Sequence, residues 1–377
     1  MKFTTAYPYF PEEDIQEILK KFRRLLEGKG MLSMGRYVKE FEENFAEYIG
    51  VEHAISTTSC TSALENLLFA IGVENGDEVI IPTQTFYATA SAVLRTGAKP
   101  VFAEVNRNFL LDFEDMKSRI TSKTKAVIFV HFAGLTDENI ITVKDWLNER
   151  DIYLIEDAAH ASGGLLFGKK IGSIGDAASF SFYSSKNMTT GEGGMITTDN
   201  TLIAEKCASY RSRGIDIKSN QEIFNGLGTN QRMTEIQALM GLSQLNNLDN
   251  FVAYRNKLAS AYSEYLQPLV ENDSIRLIKI NDDIMVNAYW RYIIFLKKEQ
   301  NRQDIQKRME DFSIKIDWAY DPIVHLQPIF KNKYGTSEGD LPFSEKLAKT
   351  HVCLPIHMGL SLDDVRFISD KFKEILL

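Results

Sequence analysis

Between residues 53 and 157, short apolar runs alternate with helical stretches, and this rhythm constrains the fold more than any other feature. Runs at 53–57, 78–81, 100–105, 126–131 and 153–157 are separated by helix-like text at 62–71, 84–95, 113–119 and 137–149. The run Ala126-Val127-Ile128-Phe129-Val130 lacks any polar alternation, so both faces of that strand are expected to be buried. Buried strands that alternate with helices predict a largely parallel sheet with right-handed crossovers. The expected fold class is α/β.

Elsewhere the periodicity differs. Residues 11–27 and 36–48 read as amphipathic helices, the second with Val38, Phe41, Phe45 and Tyr48 on one face. Strands are expected at 178–182 and 194–198, joined by a long polar loop, and helices at 201–212 and 233–244. A separate long helix is expected at 246–267, stopped by Pro268. A strand at 290–296 and helices at 301–311 and 361–376 complete the reading. The expected domain boundary lies near residue 250, with a smaller α+β domain following.

Composition narrows the function classes. The 377 residues are 44% hydrophobic and 25% charged, enough for a large core without disulfides. Forty-three basic residues against 51 acidic give a net charge of −8, and a nucleic-acid binder usually shows the opposite excess. Cys60, Cys207 and Cys353 are odd in number and widely spaced, which suggests neither a disulfide framework nor a metal site. No apolar run approaches the roughly 18 residues of a membrane span. The opening residues lack the apolar stretch of a signal peptide, so a cytoplasmic location is expected.

In α/β sheets, ligands gather where strand C-termini open into loops. After the first strand comes Thr58-Ser59-Cys60-Thr61-Ser62-Ala63, where Ser62 and Glu65 have capping-box spacing. It is either an ordinary helix cap or an anion site. The strand 153–157 ends in Glu156-Asp157-Ala158-Ala159-His160. An acidic strand end caps a turn, binds a metal, or pairs with a cationic ring nitrogen; the single His and absent Cys pattern speak against metal. His160 alone reads more readily as structural. Lys186 leaves a buried-looking strand and enters a loop containing Gly191, Gly193 and Gly194. It is either a solvated lysine or an amine placed for Schiff-base chemistry. Together, a phosphate-type loop, the aromatic loop Thr85-Phe86-Tyr87, an acidic strand end and a lysine loop are the equipment of a pyridoxal phosphate site.

These stretches resemble the DegT/DnrJ/EryC1/StrS family of sugar aminotransferases. The likeness is carried by Tyr37-Val38-Lys39-Glu40-Phe41-Glu42, Gly76-Asp77-Glu78-Val79-Ile80-Ile81-Pro82-Thr83, Glu156–His160 and Ser181-Phe182-Tyr183-Ser184-Ser185-Lys186-Asn187. It continues through Asn230-Gln231-Arg232-Met233-Thr234-Glu235-Ile236-Gln237-Ala238 and Leu354-Pro355-Ile356-His357. The resemblance implies a fold-type-I enzyme. Its large domain, 1–250, would hold a mostly parallel seven-stranded sheet between helices, and its small domain would be 251–377, with the segment 1–30 packing on the small one. It implies that Lys186 carries pyridoxal 5'-phosphate covalently, Asp157 holds the ring nitrogen, Phe86 stacks on the ring and His160 lies near the phenolic oxygen or the ring. Thr61, Ser62 and Ser181 would bind phosphate, joined by Asn230 from the second subunit of a homodimer. Arg213, His325 and the segment 30–37 would meet the substrate. Two positions depart from the family: Cys60 replaces a common glycine, and Gln231 stands where an aromatic is usual.

The implied reaction is transfer of an amino group to a keto sugar, a nucleotide-linked 4-keto-6-deoxyhexose, with glutamate as donor, in amino-sugar biosynthesis. Alternatives on the same fold are a deoxysugar dehydratase, which replaces the lysine, and an aromatising synthase. A non-catalytic regulator or scaffold is the alternative of a different class. No metal, nucleic acid or membrane is expected as a partner.

Overall fold

A computed structural model describes residues 2–297 and 301–377. A seven-stranded sheet contains β1 (His53–Thr57), β2 (Glu78–Pro82), β3 (Lys99–Ala103), β4 (Thr124–Val130), β5 (Tyr153–Asp157), β6 (Ala177–Ser181) and β7 (Gly194–Thr198). Its order is β1-β7-β6-β5-β4-β2-β3, with β7 antiparallel to both neighbours and the other pairs parallel. The expected α/β class is therefore observed.

Apolar residues cover both faces of this sheet. Val127, Phe129 and Leu154 join Phe41, Phe45 and Leu245 in one cluster. Ala126, Ile128 and Ile155 join Leu64, Leu67 and Val93 in another. Successive strand residues point to opposite faces, so the unbroken apolar run of β4 feeds both layers.

A second, antiparallel sheet is built from β8 (Ile275–Leu277), β9 (Tyr292–Leu296) and β10 (His351–Leu354), in the order β8-β9-β10. Sequence periodicity missed β8 and β10, whose runs of three and four residues are too short to show a period. Its core includes Leu258, Tyr262, Val365 and Phe372, together with Phe3 near the N-terminus.

The two helices expected at 233–244 and 246–267 are one helix, Glu235–Tyr265, of 31 residues. At 1.5 Å per residue it is about 46 Å long. Nothing breaks it at Asn246-Asn247: the Asn247 amide bonds the Ser243 carbonyl one turn back and the Asp14 carboxylate. Ala238 and Leu245 pack in the first cluster, and Leu258 and Tyr262 in the core of the second sheet. Pro268 lies in a separate short helix, Gln267–Glu271. The N-terminus of the long helix is closed by a capping box of Thr234 and Gln237. Its buried Glu235 accepts the amides of Gly35, Tyr37 and Val38, which ties the segment 30–37 to this helix.

Candidate active site

The C-terminal ends of β1, β2, β5 and β6 open into a cavity of about 500 Å³. Thr61, Phe86, Asp157, His160, Ser181 and Lys186 all line it. A volume of this size suits a small organic ligand.

Asp157 is the last residue of β5 and is 5% exposed. Its Oδ2 accepts the Thr89 hydroxyl at 2.8 Å and its Oδ1 the Ala159 amide at 3.1 Å. The Cys60 thiol, at 3.8 Å from Oδ1, is a further donor. Burial pushes the carboxyl up from its ordinary value; the Thr89 and Ala159 bonds and the Lys186 charge pull it back only in part. A desolvated carboxylate facing a cavity suits a cationic ligand atom.

Glu156, one residue earlier, points to the opposite face. It is fully buried and accepts His131 Nε2 and the amides of Gly172, Ile174 and Gly175 at 2.7 to 3.0 Å. Burial alone would raise its pKa, but the His131 ring and these amides outweigh burial and lower it. Glu156 is thus a structural rivet outside the cavity. Glu156→Leu should lower stability by about 4 kcal/mol or more, because the orphaned amides have no substitute acceptor. Denaturant unfolding measures this, and a loss under about 1 kcal/mol would contradict the assignment.

Lys186 follows β6 and is half-buried beside the Trp290 indole, its Nζ 4.3 Å from the ring centroid. Burial pushes its amine down to about 8, with Asp157 opposing and Arg291 assisting. Below pH 8 the amine is charged and unreactive; as pH rises through 8 it becomes neutral and nucleophilic. In cofactor-free protein, acetylation of Lys186 should therefore be half-maximal near pH 8. An ordinary lysine reaches that point near about 10.4. Peptide mass analysis across a pH series reads this, and a midpoint near that of the surface lysines would sink it.

The helix Cys60–Ala70 points its N-terminus at the cavity. The expected Ser62–Glu65 capping box does not form. The helix starts earlier, with extended Ser59 as its cap: the Ser59 hydroxyl accepts the Ser62 amide. Glu65 instead pairs with Arg95 at 2.8 Å. The Ser62 hydroxyl bonds Thr58 and Ser59 and lies behind Thr61, outside the lining residues. Phe86 leans over the cavity mouth, 55% exposed.

His160 is buried and stacked on Trp290, with centroids 3.7 Å apart and planes 7° from parallel. Its Nδ1 accepts the Ala133 amide, so Nε2 carries the proton and donates to the Tyr320 hydroxyl at 3.0 Å. Burial, aided by the Lys186 and Arg291 charges, lowers its pKa well below the ordinary value and keeps it neutral.

Three expected residues lie elsewhere. His325 is fully buried and outside the cavity's lining, with Nδ1 on Thr83 at 2.6 Å and Nε2 on Glu345 at 3.2 Å. With both ring nitrogens engaged and no face on the cavity, it does not meet a substrate there. Arg213, itself exposed, pairs with Glu222 at 3.5 Å on the segment 211–231, away from its own chain's cavity. Asn230 is exposed on that same segment, bridged to Ser212 by its backbone. The helix cap is Thr234, so Asn230 does not serve as one.

Sequence reasoning missed Trp290, Arg291, Asp317 and Tyr320, which form the wall on the side of the second sheet. The Trp290 indole N–H donates to the Ser185 carbonyl at 2.9 Å and fixes the lysine loop. Tyr320 holds φ of 62°, a strained value for an aromatic residue. A local signal existed for neither, since both lie over 100 positions beyond Lys186 in ordinary-looking text.

The cavity fits pyridoxal phosphate. It offers a half-buried amine, a carboxylate for a cationic nitrogen, an aromatic face and a helix N-terminus with hydroxyls for a phosphate. Among the described residues no group of three or more His, Cys, Asp or Glu is placed to hold a metal. No helix described is long and apolar enough to cross a membrane.

Comparison with known proteins agrees with this chemistry. The chain is 32% identical to a GDP-perosamine synthase of Escherichia coli O157:H7 over 350 residues, covering 93% of each chain. Its fold matches Helicobacter pylori PseC, described as an aminotransferase involved in the biosynthesis of pseudoaminic acid, with a TM-score of 0.91 and 26% identity. That match covers 100% of this chain and 99% of the other. A putative sugar aminotransferase of Streptococcus pneumoniae, solved in its PLP form, matches with a TM-score of 0.90, 26% identity and 100% of both chains. The sequence profile of one family spans residues 12–373. The chain belongs to the DegT/DnrJ/EryC1/StrS aminotransferase family, and its cofactor is pyridoxal phosphate.

Proposed function

We propose that the protein transfers an amino group from glutamate to a nucleotide-linked 4-keto-6-deoxyhexose, in amino-sugar biosynthesis for a surface polysaccharide or glycoconjugate. One observation carries this reading: the Lys186 amine and the Asp157 carboxylate face a single cavity beside a helix N-terminus. The similarity to a GDP-perosamine synthase and to a dTDP-3-amino-3,4,6-trideoxy-alpha-D-glucose transaminase of Micromonospora megalomicea supports the substrate class.

Bound pyridoxal phosphate supplies an electron sink and a carbonyl carbon that exchanges amines. The chain's own residues do the rest. Asp157 holds the ring nitrogen in its protonated form. Thr61 and Ser181 hold the phosphate at the helix N-terminus, with Ser62 behind them. Phe86 covers one ring face, and neutral His160 reaches the phenolic side. Lys186 Nζ takes the proton from the donor's Cα in the first half-reaction. In the second it returns a proton to the sugar carbon that gains the amino group.

The purified protein should be yellow, and glutamate should bleach the band. A panel of keto-sugar nucleotides should restore it for the true substrate. Colour without bleaching by any amino acid would overturn the reading in favour of a scaffold. A dehydratase of this fold replaces the lysine, and Lys186 speaks against that alternative.

The reading includes a cytoplasmic homodimer with shared sites. Ile217, Ile223 and Phe224 are exposed on the segment 211–231, and Leu227 is 93% exposed, which suits burial by a partner. Arg213 and Asn230 lie on this segment and would reach the partner's cavity, Asn230 at the phosphate. Each subunit would have a large domain, 1–250, and a small one, 251–377, with the boundary inside the helix Glu235–Tyr265.

A complementation assay tests the sharing. Lys186→Ala should be inactive, and Asn230→Asp should be badly impaired by repulsion of the phosphate. Refolded together in equal amounts, the two variants should recover about a quarter of all sites, because each mixed dimer holds one intact site. If Asn230 serves its own chain, mixing recovers nothing.

A further inference from the structure

The wall on the side of the second sheet holds an ion pair that none of the roles above uses. Arg291 precedes β9, and Asp317 bridges to Cys353 of β10; both line the cavity. The pair is poorly matched: Arg291 Nη2 lies 3.6 Å from Asp317 Oδ2. A charge-assisted hydrogen bond measures about 2.7–2.9 Å. Asp317 Oδ1 is buried with no hydrogen-bond partner among the described residues. Arg291 is 9% exposed, and its guanidinium carbon lies 4.2 Å from the Trp290 ring centroid. One guanidinium nitrogen donates to the carbonyls of Thr5 and Trp290 at 3.1 and 3.3 Å. The group is thus fixed in place, while its carboxylate partner leaves acceptor capacity unused.

The proposed reaction needs one cavity to accept two unlike molecules in turn. The amino donor brings a carboxylate to the reacting carbon, whereas the sugar brings neutral hydroxyls. Of the cavity's positive poles, the helix N-terminus is reserved for the cofactor phosphate. Lys186 must be neutral when it takes the proton from the donor. Arg291 is the cation that remains among the lining residues.

Resting on that reading of the function, we propose that Arg291 and Asp317 form an exchangeable subsite. Arg291 binds the donor's carboxylate and releases Asp317. With the sugar in place, Asp317 accepts a sugar hydroxyl and Arg291 returns to Asp317. The loose pair in the structure is the resting arrangement between these two states.

Glutarate, which has both carboxylates of glutamate but no amine, is the probe, titrated calorimetrically into cofactor-loaded protein. Arg291→Gln should weaken its binding by about 10- to 100-fold, the loss of a charge-assisted pair. Asp317→Asn should tighten it by about threefold or more, because the competing anion is gone. Asp317→Asn should also raise the KM for the keto-sugar nucleotide. Arg291→Lys keeps the charge and controls for misfolding; it should recover part of the affinity. Opposite signs for the Arg291→Gln and Asp317→Asn variants support the subsite, since general structural damage would move both the same way. Shifts of the same sign, wild-type affinity in Arg291→Gln, or no glutarate binding by wild type would overturn it. If wild type bleaches with glutamate while Arg291→Gln keeps its glutarate affinity, the subsite alone fails. If no amino acid bleaches the wild type, the aminotransferase reading of the site fails instead.

Discussion

Lys186→Ala should turn over at a rate lower by about 10⁴-fold or more, because it loses the covalent attachment and the proton-moving group together. The variant should still fold, since alanine leaves the Trp290 bond to the Ser185 carbonyl intact. It should also bind cofactor weakly through Asp157 and the helix N-terminus. Borohydride reduction of the wild type, followed by peptide mass analysis, should place the pyridoxyl adduct on Lys186. Lys169 and Lys170 are the informative alternatives. They lie on a hairpin outside the cavity, and Lys170 is engaged with Asp249 and Tyr48 at 2.7 Å. An adduct on either one would sink the site assignment.

Asp157→Asn should keep the fold and lose about 10²- to 10⁴-fold in turnover. Asparagine has nearly the same size and still offers an oxygen to the Ala159 amide. It carries no charge, so a protonated ring nitrogen loses its partner. The loss should fall on turnover, and the absorbance of the bound cofactor should shift with pH in a range where the wild type does not change. Wild-type turnover in this variant would make Asp157 a plain turn cap.

The half of the site that the sequence disclosed is the half built on strand ends. Residues 53–57, 153–157 and 194–198 coincide with β1, β5 and β7, because buried strands are written as short apolar runs between polar breaks. Asp157 and Lys186 each follow such a run, so their position above the sheet could be read locally. Arg291, Asp317 and Tyr320 reach the cavity only through tertiary packing of the second sheet, which leaves no periodic trace. His325 misled for the converse reason. A histidine in a loop looks available, and only packing reveals Thr83 and Glu345 on its two nitrogens. The length of the helix Glu235–Tyr265 was equally hidden: it read as two helices, and the acceptors that Asn247 finds on Ser243 and Asp14 are visible only in the fold.

The adjacent carboxylates of β5 act as a proofreading mark for strand register. In the native pairing Glu156 lies opposite Phe129 and Ala178, and Asp157 opposite Val130 and Ser179. A slip by one residue reverses every side chain's face. Glu156 would then turn toward the cavity, and its place as acceptor for the amides of Gly172, Ile174 and Gly175 would fall to Asp157, whose side chain is one methylene shorter. The misregistered chain would lose its rivet and its reactive carboxylate in a single error. Correct register is therefore a condition both of the buried Glu156 contacts and of a carboxylate facing the cavity.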